Sequence, residues 1–277
     1  MKKLCVIGDP VLHSRSPLIQ NAMLRELGLP YVYTAETVPQ EGLGAWLARA
    51  KAEGYAGFNA TMPHKEALVP LVDKLSEEAA ACASVNTVCI KNGKLYGTST
   101  DGTGFLRNLS DAGVNPAGKR ILLLGAGGAA RAVLPALLSA GALSVAVCNR
   151  TADRAERLCA LRPQVLRAAG FSPEALRREA EGADLLVNCT SLGMGGTGGQ
   201  FEDFSFLDVL PAHAPVCDLI YHPPETALLA RARTRGHLAL NGLGMLIHQA
   251  VCALEHFTGL ALDAERMCAV ARRALNR

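Results

Sequence analysis

Short apolar runs alternate with stretches whose apolar residues recur every three or four positions, and this alternation continues almost throughout the chain. Leu4–Ile7 reads as a buried strand. Pro17 opens a helix toward Leu27, because proline suits the first helical turn. Tyr31–Thr37 is a second strand, and Leu43–Glu53 is a helix with Leu43, Trp46, Leu47 and Ala50 on one face. Phe58–Ala60 is a third strand, and Ser76–Ala83 a helix with acids in its first turn. Val88–Ile90 and Leu95–Tyr96 flank Asn92-Gly93, a pair that accepts the positive φ of a tight hairpin. The first hundred residues therefore predict β/α units closing in an antiparallel hairpin, a mixed sheet.

A second alternation follows Phe105–Leu109. Ile121–Leu124, Ser144–Cys148, Leu185–Asn188 and Val216–Ile220 are apolar strands. Between them lie a helix running toward Ser139, with a kink expected at Pro135, and helices over Thr151–Ala160 and Ser172–Glu181. Strands separated in this way imply βαβ crossovers and a parallel sheet. Gly193–Gly199 is a glycine-rich loop, and Leu243 to Leu275 reads as two helices without a strand. The basic cluster Arg231–Arg235 fits a solvated helix end.

Composition narrows the partners. The 277 residues carry 28 Lys+Arg and 25 Asp+Glu, a net charge of +3, with one Trp. That is enough chain for two domains but too little basic or stacking character for a nucleic-acid binder. Leu4 to Ile7 is too short for the apolar core of a secretory signal, and no run approaches a membrane span. Nine scattered Cys, without Cys-x-x-Cys or His-Glu-x-x-His, suggest ordinary thiols of a cytoplasmic protein and no metal site. The helix faces show no distinctive seam, so a homodimer is allowed but not required.

Gly125-Ala126-Gly127-Gly128-Ala129-Ala130 follows a predicted strand and opens a predicted helix. The first Gly permits a tight turn, the second lets a pyrophosphate approach, and Ala130 keeps the helix close to the strand. The helix start then supplies free N–H groups to phosphates. The following strand ends Cys148-Asn149-Arg150-Thr151, with Arg154 one turn beyond and no carboxylate at the position that would meet a ribose hydroxyl. Two guanidinium groups at a helix start suit a 2′-phosphate, so NADP is expected rather than NAD.

Four polar clusters interrupt the apolar pattern: His13–Pro17, Asn59–Lys65, Ser84–Thr87 and Thr98–Gly104. Loops after strand ends converge on one crevice in an open α/β sheet. Hydroxyls, amides, Lys65 and Asp101 gathered there would suit a small, polyhydroxylated anion. Each cluster alone has a structural reading. Ser14 and Ser16, for example, could cap a helix beginning at Pro17.

Taken in order, these motifs resemble the shikimate dehydrogenase family along the whole chain. Ser14-Arg15-Ser16-Pro17, Asn59–Lys65, Ser84–Thr87, Gly125–Ala130, Asn149–Thr151, Asn188–Met194, Asp218–Thr226 and Gly242–Gln249 carry the resemblance. Two positions depart from the family pattern: Ser99 stands where Asn usually precedes Thr-Asp, and Asp9 where Asn often precedes the first-loop Pro. The fold implied is α/β in two domains, with the active site in the interdomain cleft. One is an N-terminal mixed-sheet α/β substrate domain, discontinuous over 1–103 and 241–277. The other is a Rossmann-type NADP-binding domain over 104–240.

The resemblance implies reversible NADPH-dependent reduction of 3-dehydroshikimate to shikimate, a step of aromatic amino-acid precursor synthesis. Ser14, Ser16, Asn59, Thr61, Asn86, Tyr221 and Gln249 would hold the substrate. Lys65 and Asp101 would be catalytic, with Lys65 as proton donor and acceptor and Asp101 orienting it. Gly125, Ala126, Gly127, Gly128, Ala129, Asn149, Arg150, Thr151, Arg154, Thr190, Leu219, Gly242 and Met245 would hold the cofactor. His64 is the rival base by residue type. The competing readings are a quinate or aminoshikimate dehydrogenase relative, a non-catalytic NADP- or shikimate-binding regulator, and a methylene-tetrahydrofolate dehydrogenase-like enzyme.

Overall fold

The structure of the protein is a computed structural model that describes residues 1–160, 162–196 and 199–276. The chain divides into two compact units, Met1–Phe105 with Leu246–Arg277, and Leu106–Met245. In unit 1 the order is β1 (Lys2–Gly8), α1 (Ser16–Glu26), β2 (Tyr31–Thr37), α2 (Leu43–Ala52), β3 (Tyr55–Ala60) and α3 (His64–Ala67). It continues with β4 (Lys74–Leu75), α4 (Glu77–Cys82), β5 (Thr87–Lys91), β6 (Lys94–Thr98) and α5 (Asp101–Asp111), which runs on into unit 2. The sheet has the order β2-β1-β3-β5-β6-β4 and is mixed: β1 is parallel to β2 and β3, and β5 is antiparallel to β3 and β6. The Asn92-Gly93 turn takes positive φ at both residues, as the hairpin requires. One face of the sheet is sealed by Trp46, whose ring meets Phe58 edge-on at 4.8 Å among Ile7, Leu47, Leu68 and Val88.

Unit 2 runs β7 (Arg120–Leu124), α6 (Gly128–Ser139), β8 (Ser144–Cys148), α7 (Ala152–Cys159), β9 (Leu166–Ala169) and α8 (Pro173–Ala180). Then follow β10 (Leu185–Asn188), α9 (Phe206–Val209), β11 (Val216–Asp218), α10 (Ala227–Thr234) and β12 (Ala239–Leu240). Its sheet, β12-β11-β10-β7-β8-β9, is parallel throughout. Counted from β7 as the first strand, this is the order 3-2-1-4-5-6 of the doubly wound dinucleotide-binding fold, with its switch point between β7 and β10. α11 (Leu243–Thr258) and α12 (Ala264–Leu275) close the chain, and α12 packs on α1 in unit 1.

Several expectations change. The Thr98–Gly104 cluster is a loop only at Ser99 and Thr100, because Thr98 ends β6 and Asp101 begins α5. A carboxylate there is favoured by the positive end of the helix dipole. The strand expected over Val216–Ile220 stops at Asp218, whose side chain accepts from the Ile220 N–H and turns the chain away. α6 runs through Pro135 without a break. β4, β9 and β12 were not read from sequence; each is short and lies at a sheet edge. Of the Gly193–Gly199 loop, Thr197 and Gly198 lie outside the described residues. Among the described residues no helix is long and apolar enough to cross a membrane. All nine Cys are free and buried, and burial pushes the Cys148 and Cys217 thiols up to about 12.

Candidate active site

In unit 1 the chemistry is set by α3 and the start of α5. α3 is a single turn whose first two side chains go opposite ways. His64 is fully buried, its Nε2 2.7 Å from the Val38 carbonyl oxygen, so it anchors the turn and is removed as a base. Lys65 projects outward and donates to Asp101 Oδ2 at 2.6 Å. The pair is asymmetric: the Lys65 side chain is 32% exposed and that of Asp101 only 9%. Lys65 can reach a ligand, while Asp101 is held in the protein.

Asp101 is held by a chain of hydrogen bonds with few alternatives. Asn86 Nδ2 donates to Asp101 Oδ1 at 2.8 Å and to Thr100 Oγ1 at 2.9 Å. Asn86 Oδ1 accepts from the Thr87 hydroxyl at 2.8 Å and the Thr100 N–H at 2.9 Å. Asn59 Nδ2 donates to the Asn86 carbonyl and to Thr87 Oγ1, and its Oδ1 accepts from the Tyr33 hydroxyl at 2.6 Å. Burial keeps the Tyr33 phenol far above its usual range, so it stays a donor and fixes the orientation of the Asn59 amide. Both amide hydrogens of Asn59 and of Asn86 are thus in use. Either residue would have to release a bond to donate to a substrate. The sequence reading missed Tyr33, whose tyrosine-rich strand reads only as a strand. Ser99 leaves this loop intact: Asn86 N still pairs with Thr98 O on one side, and Thr100 N with Asn86 Oδ1 on the other.

Ser14 and Ser16 stand at the start of α1. The expected capping by serine is not what the structure shows: α1 begins at Ser16, Arg15 is its N-cap residue without a side-chain cap bond, and Ser14 Oγ only accepts from Ser16 N at 3.2 Å in a local turn. Thr61 lies against Gly8, where any β-carbon would run into its methyl group. Gln249, on α11, is partly exposed and donates to the Leu246 carbonyl oxygen. It is brought against the first turn of α5 by Gly104, whose β-carbon would lie 2.6 Å from Gln249 N. Gly104 is a second residue that sequence reasoning left without a role.

In unit 2 the loops after β7, β8, β10 and β11 carry the remaining candidates. Gly125 turns at φ +99°, and a β-carbon there would press on Thr190 and Cys189. At Gly127 and Gly128 a β-carbon would meet nothing within 4 Å, leaving an open cradle beside Ala129 at the N-terminus of α6. Asn149 braces this turn by accepting from Ala126 N at 3.1 Å and donating to Thr151 O at 2.8 Å. Arg150, Thr151 and Arg154 are exposed, and neither arginine has an ion-pair partner among the described residues. Arg150 also borders a cavity of about 170 Å³ floored by Phe171, Leu176, Leu192 and Phe201. An open glycine cradle next to two uncommitted guanidinium groups fits a dinucleotide carrying an extra phosphate. At the other loops, Leu219 O stands where a β-carbon on Gly242 would fall, Met245 lies in the first turn of α11, and Tyr221 is 38% exposed. Arg231–Arg235 is an exposed end of α10, with Arg233 paired to Glu225 and Arg235 to Asp208.

A mixed sheet carrying a Lys–Asp pair and a doubly wound sheet with a dinucleotide turn define a two-unit α/β dehydrogenase. Family models for the shikimate dehydrogenase substrate binding domain, shikimate / quinate 5-dehydrogenase and the shikimate 5'-dehydrogenase C-terminal domain match residues 6–88, 109–193 and 242–272. The chain belongs to the shikimate dehydrogenase family. It is 45% identical over 263 residues to shikimate dehydrogenase (NADP(+)) of Geobacter sulfurreducens, covering 93% of this chain and 91% of that one. The structure resembles shikimate 5-dehydrogenase of Thermus thermophilus in complex with NADP(H) and shikimate (TM-score 0.86, 37% identity, 99% and 100% coverage). It also resembles the ligand-free 5-ketofructose reductase of a Gluconobacter strain (TM-score 0.86, 34% identity, 98% of each chain).

Proposed function

We propose that the protein is an NADP-dependent shikimate dehydrogenase that interconverts 3-dehydroshikimate and shikimate. The observation that carries this reading is the Lys65–Asp101 pair at 2.6 Å, half open on the lysine side and locked on the aspartate side. Bound NADPH supplies the hydride to the ketone carbon. Lys65 Nζ, with two hydrogens not engaged by Asp101, donates a proton to the ketone oxygen as it becomes a hydroxyl, and takes it back in the reverse direction. Asp101 offsets the lysine's charge and fixes where Nζ points. Ser14, Ser16, Thr61, Tyr221 and Gln249 hold the substrate's carboxylate and hydroxyls. Asn86 holds Asp101 and Asn59 braces Asn86, and each of the two asparagines joins the substrate set by releasing one of these bonds. A sensor of the same ligands would have no use for the proton-transfer pair. The nine buried thiols fit a cytoplasmic enzyme.

The cofactor is held by the glycine cradle at Gly125–Ala129, by Thr190, Leu219, Gly242 and Met245, and by Arg150, Thr151 and Arg154 on the 2′-phosphate. Replacing both arginines with alanine should raise the KM for NADP+ about tenfold to a hundredfold, the effect of losing charge-assisted hydrogen bonds. The KM for NAD+ should change little. Equal changes for the two cofactors would remove the arginines from phosphate recognition.

The reading as a whole is tested by a matrix of NADP+ and NAD+ against shikimate and quinate, read by the near-ultraviolet absorbance of the reduced cofactor. NADPH oxidation with 5-ketofructose belongs in the same matrix, given the structural likeness to that reductase. The highest kcat/KM should fall on shikimate with NADP+. A preference for quinate with NAD+ would overturn the proposal, as would binding of both ligands without turnover.

A further inference from the structure

We propose that Asp218 and Thr226 are positioning residues that set the cofactor-side loops of unit 2, an inference that rests on the NADP reading above. β10 ends at Asn188 and β11 at Asp218, directly paired in the parallel sheet. Immediately beyond these ends come Thr190, Leu219 and Tyr221. Asp218 is 1% exposed, and no lysine, arginine or histidine forms an ion pair with it among the described residues. Its carboxylate instead gathers neutral donors. Oδ1 accepts from Asn188 Nδ2 at 3.0 Å and from Ile220 N at 3.1 Å, and Oδ2 accepts from the Thr226 hydroxyl at 2.6 Å. A buried carboxylate without a cation is costly unless such donors satisfy it. Burial holds this carboxyl above the usual carboxylate range, a rise that the three hydrogen bonds reduce without cancelling.

The partners show what the carboxylate organises. With Nδ2 directed at Asp218, Asn188 must present Oδ1 to the other side, where it accepts from Thr190 N at 3.0 Å and the Thr190 hydroxyl at 2.7 Å. The reversed amide would set two donors against each other there. Asn188 is itself fully buried, so no solvent competes for these bonds. On the second strand, Ile220 is fixed through its N–H to Asp218, and its carbonyl accepts from Gly242 N at 3.0 Å. Leu219 N donates to the Asn188 carbonyl at 3.0 Å. One carboxylate therefore coordinates the exits of β10 and β11 and the residue that precedes α11. Thr226 completes the arrangement from the start of α10, where its Oγ1 also accepts from Leu229 N.

The test replaces Thr226 with valine, which keeps the shape and removes the hydroxyl, and with serine, which keeps the hydroxyl. The dissociation constant of NADP+ is measured by calorimetry without substrate, alongside the KM for shikimate and the melting temperature. Thr226→Val should weaken NADP+ about tenfold, the scale of one lost hydrogen bond to a charged group. The KM for shikimate should change far less, because of the residues assigned to it only Tyr221 lies on these loops and the rest are in unit 1, where no hydrogen bond is altered. Thr226→Ser should restore cofactor affinity. Loss of the helix cap will lower the melting temperature of the valine variant, but a purely structural role would leave the affinity of the folded fraction unchanged. If the valine variant does not fold, Thr226→Ala carries the same expectation with less bulk. Wild-type affinity in the hydroxyl-free variants overturns the proposal, and so does an equal loss of NADP+ and shikimate. Wild-type protein that fails to bind NADP+ would overturn the cofactor reading itself, an outcome distinct from either.

Discussion

Lys65→Ala is expected to lower kcat about a hundredfold to ten-thousandfold, the span associated with loss of a positioned proton donor. Its effect on the KM for shikimate should be far smaller, because Ser14, Ser16, Thr61 and Gln249 remain in place. Asp101→Asn should produce a loss of similar kind through a different route. The 2.6 Å bond to Lys65 Nζ would then be neutral in its acceptor, and the ammonium would lose the charge that holds it. Since the two act as one device, the double variant should be little worse than Lys65→Ala alone. Steady-state turnover with both substrates saturating provides the measurement. Retention of most of the turnover number in both single variants would exclude the pair from catalysis.

The second large effect is expected from a residue with no reactive atom. Gly104→Ala places a methyl group 2.6 Å from Gln249 N, 2.8 Å from its Cβ and 2.9 Å from its Cα. Two of those neighbours are backbone, so no rotamer change relieves the clash, and α11 must move away from the first turn of α5. Overpacking of this sort costs about 1–3 kcal/mol. The displacement also carries Gln249 away from the turn that begins with Asp101, and a shift of about 1 Å at a positioned group can cost on the order of a hundredfold in rate. We expect kcat/KM for shikimate to fall by that order, the affinity for NADP+ to stay close to wild type, and the melting temperature to drop. A variant with full activity and unchanged stability would show that α5 and α11 accommodate the methyl freely.

Much of this was legible in the chain itself, and the exceptions share physical causes. Every strand except β4, β9 and β12 was marked by its run of apolar or strand-favouring residues; most of the marked strands bury the majority of their side chains, while β2 buries only Tyr33. Asn92-Gly93 identified its hairpin because few other pairs tolerate that turn. β4 and β12, two residues each, could not be read, since they are strands only by virtue of the neighbour they pair with. β9 is four residues with only Leu166 buried. The catalytic candidates Lys65 and Asp101 stood out as charges within an apolar context. Tyr33, Asn188, Asp218 and Gly104 did not, because what makes each matter is the partner it meets in the fold, from the Thr226 hydroxyl 8 positions from Asp218 to Gln249, 145 positions from Gly104. Asp218 and Thr226 belonged to a motif that could be quoted, yet only their mutual hydrogen bond explains why both are in it.

The burial of every cysteine gives the protein a built-in gauge of its own breathing. A thiol must reach solvent and ionise before an alkylating reagent can attack, and these nine are enclosed, with several raised well above their ordinary range. Cys5, Cys82 and Cys89 lie in unit 1, and Cys148, Cys189 and Cys217 lie in unit 2. Site-resolved alkylation rates would therefore translate into local opening free energies for each unit separately. Adding NADP+ or shikimate would then show, cysteine by cysteine, which part of the molecule each ligand tightens.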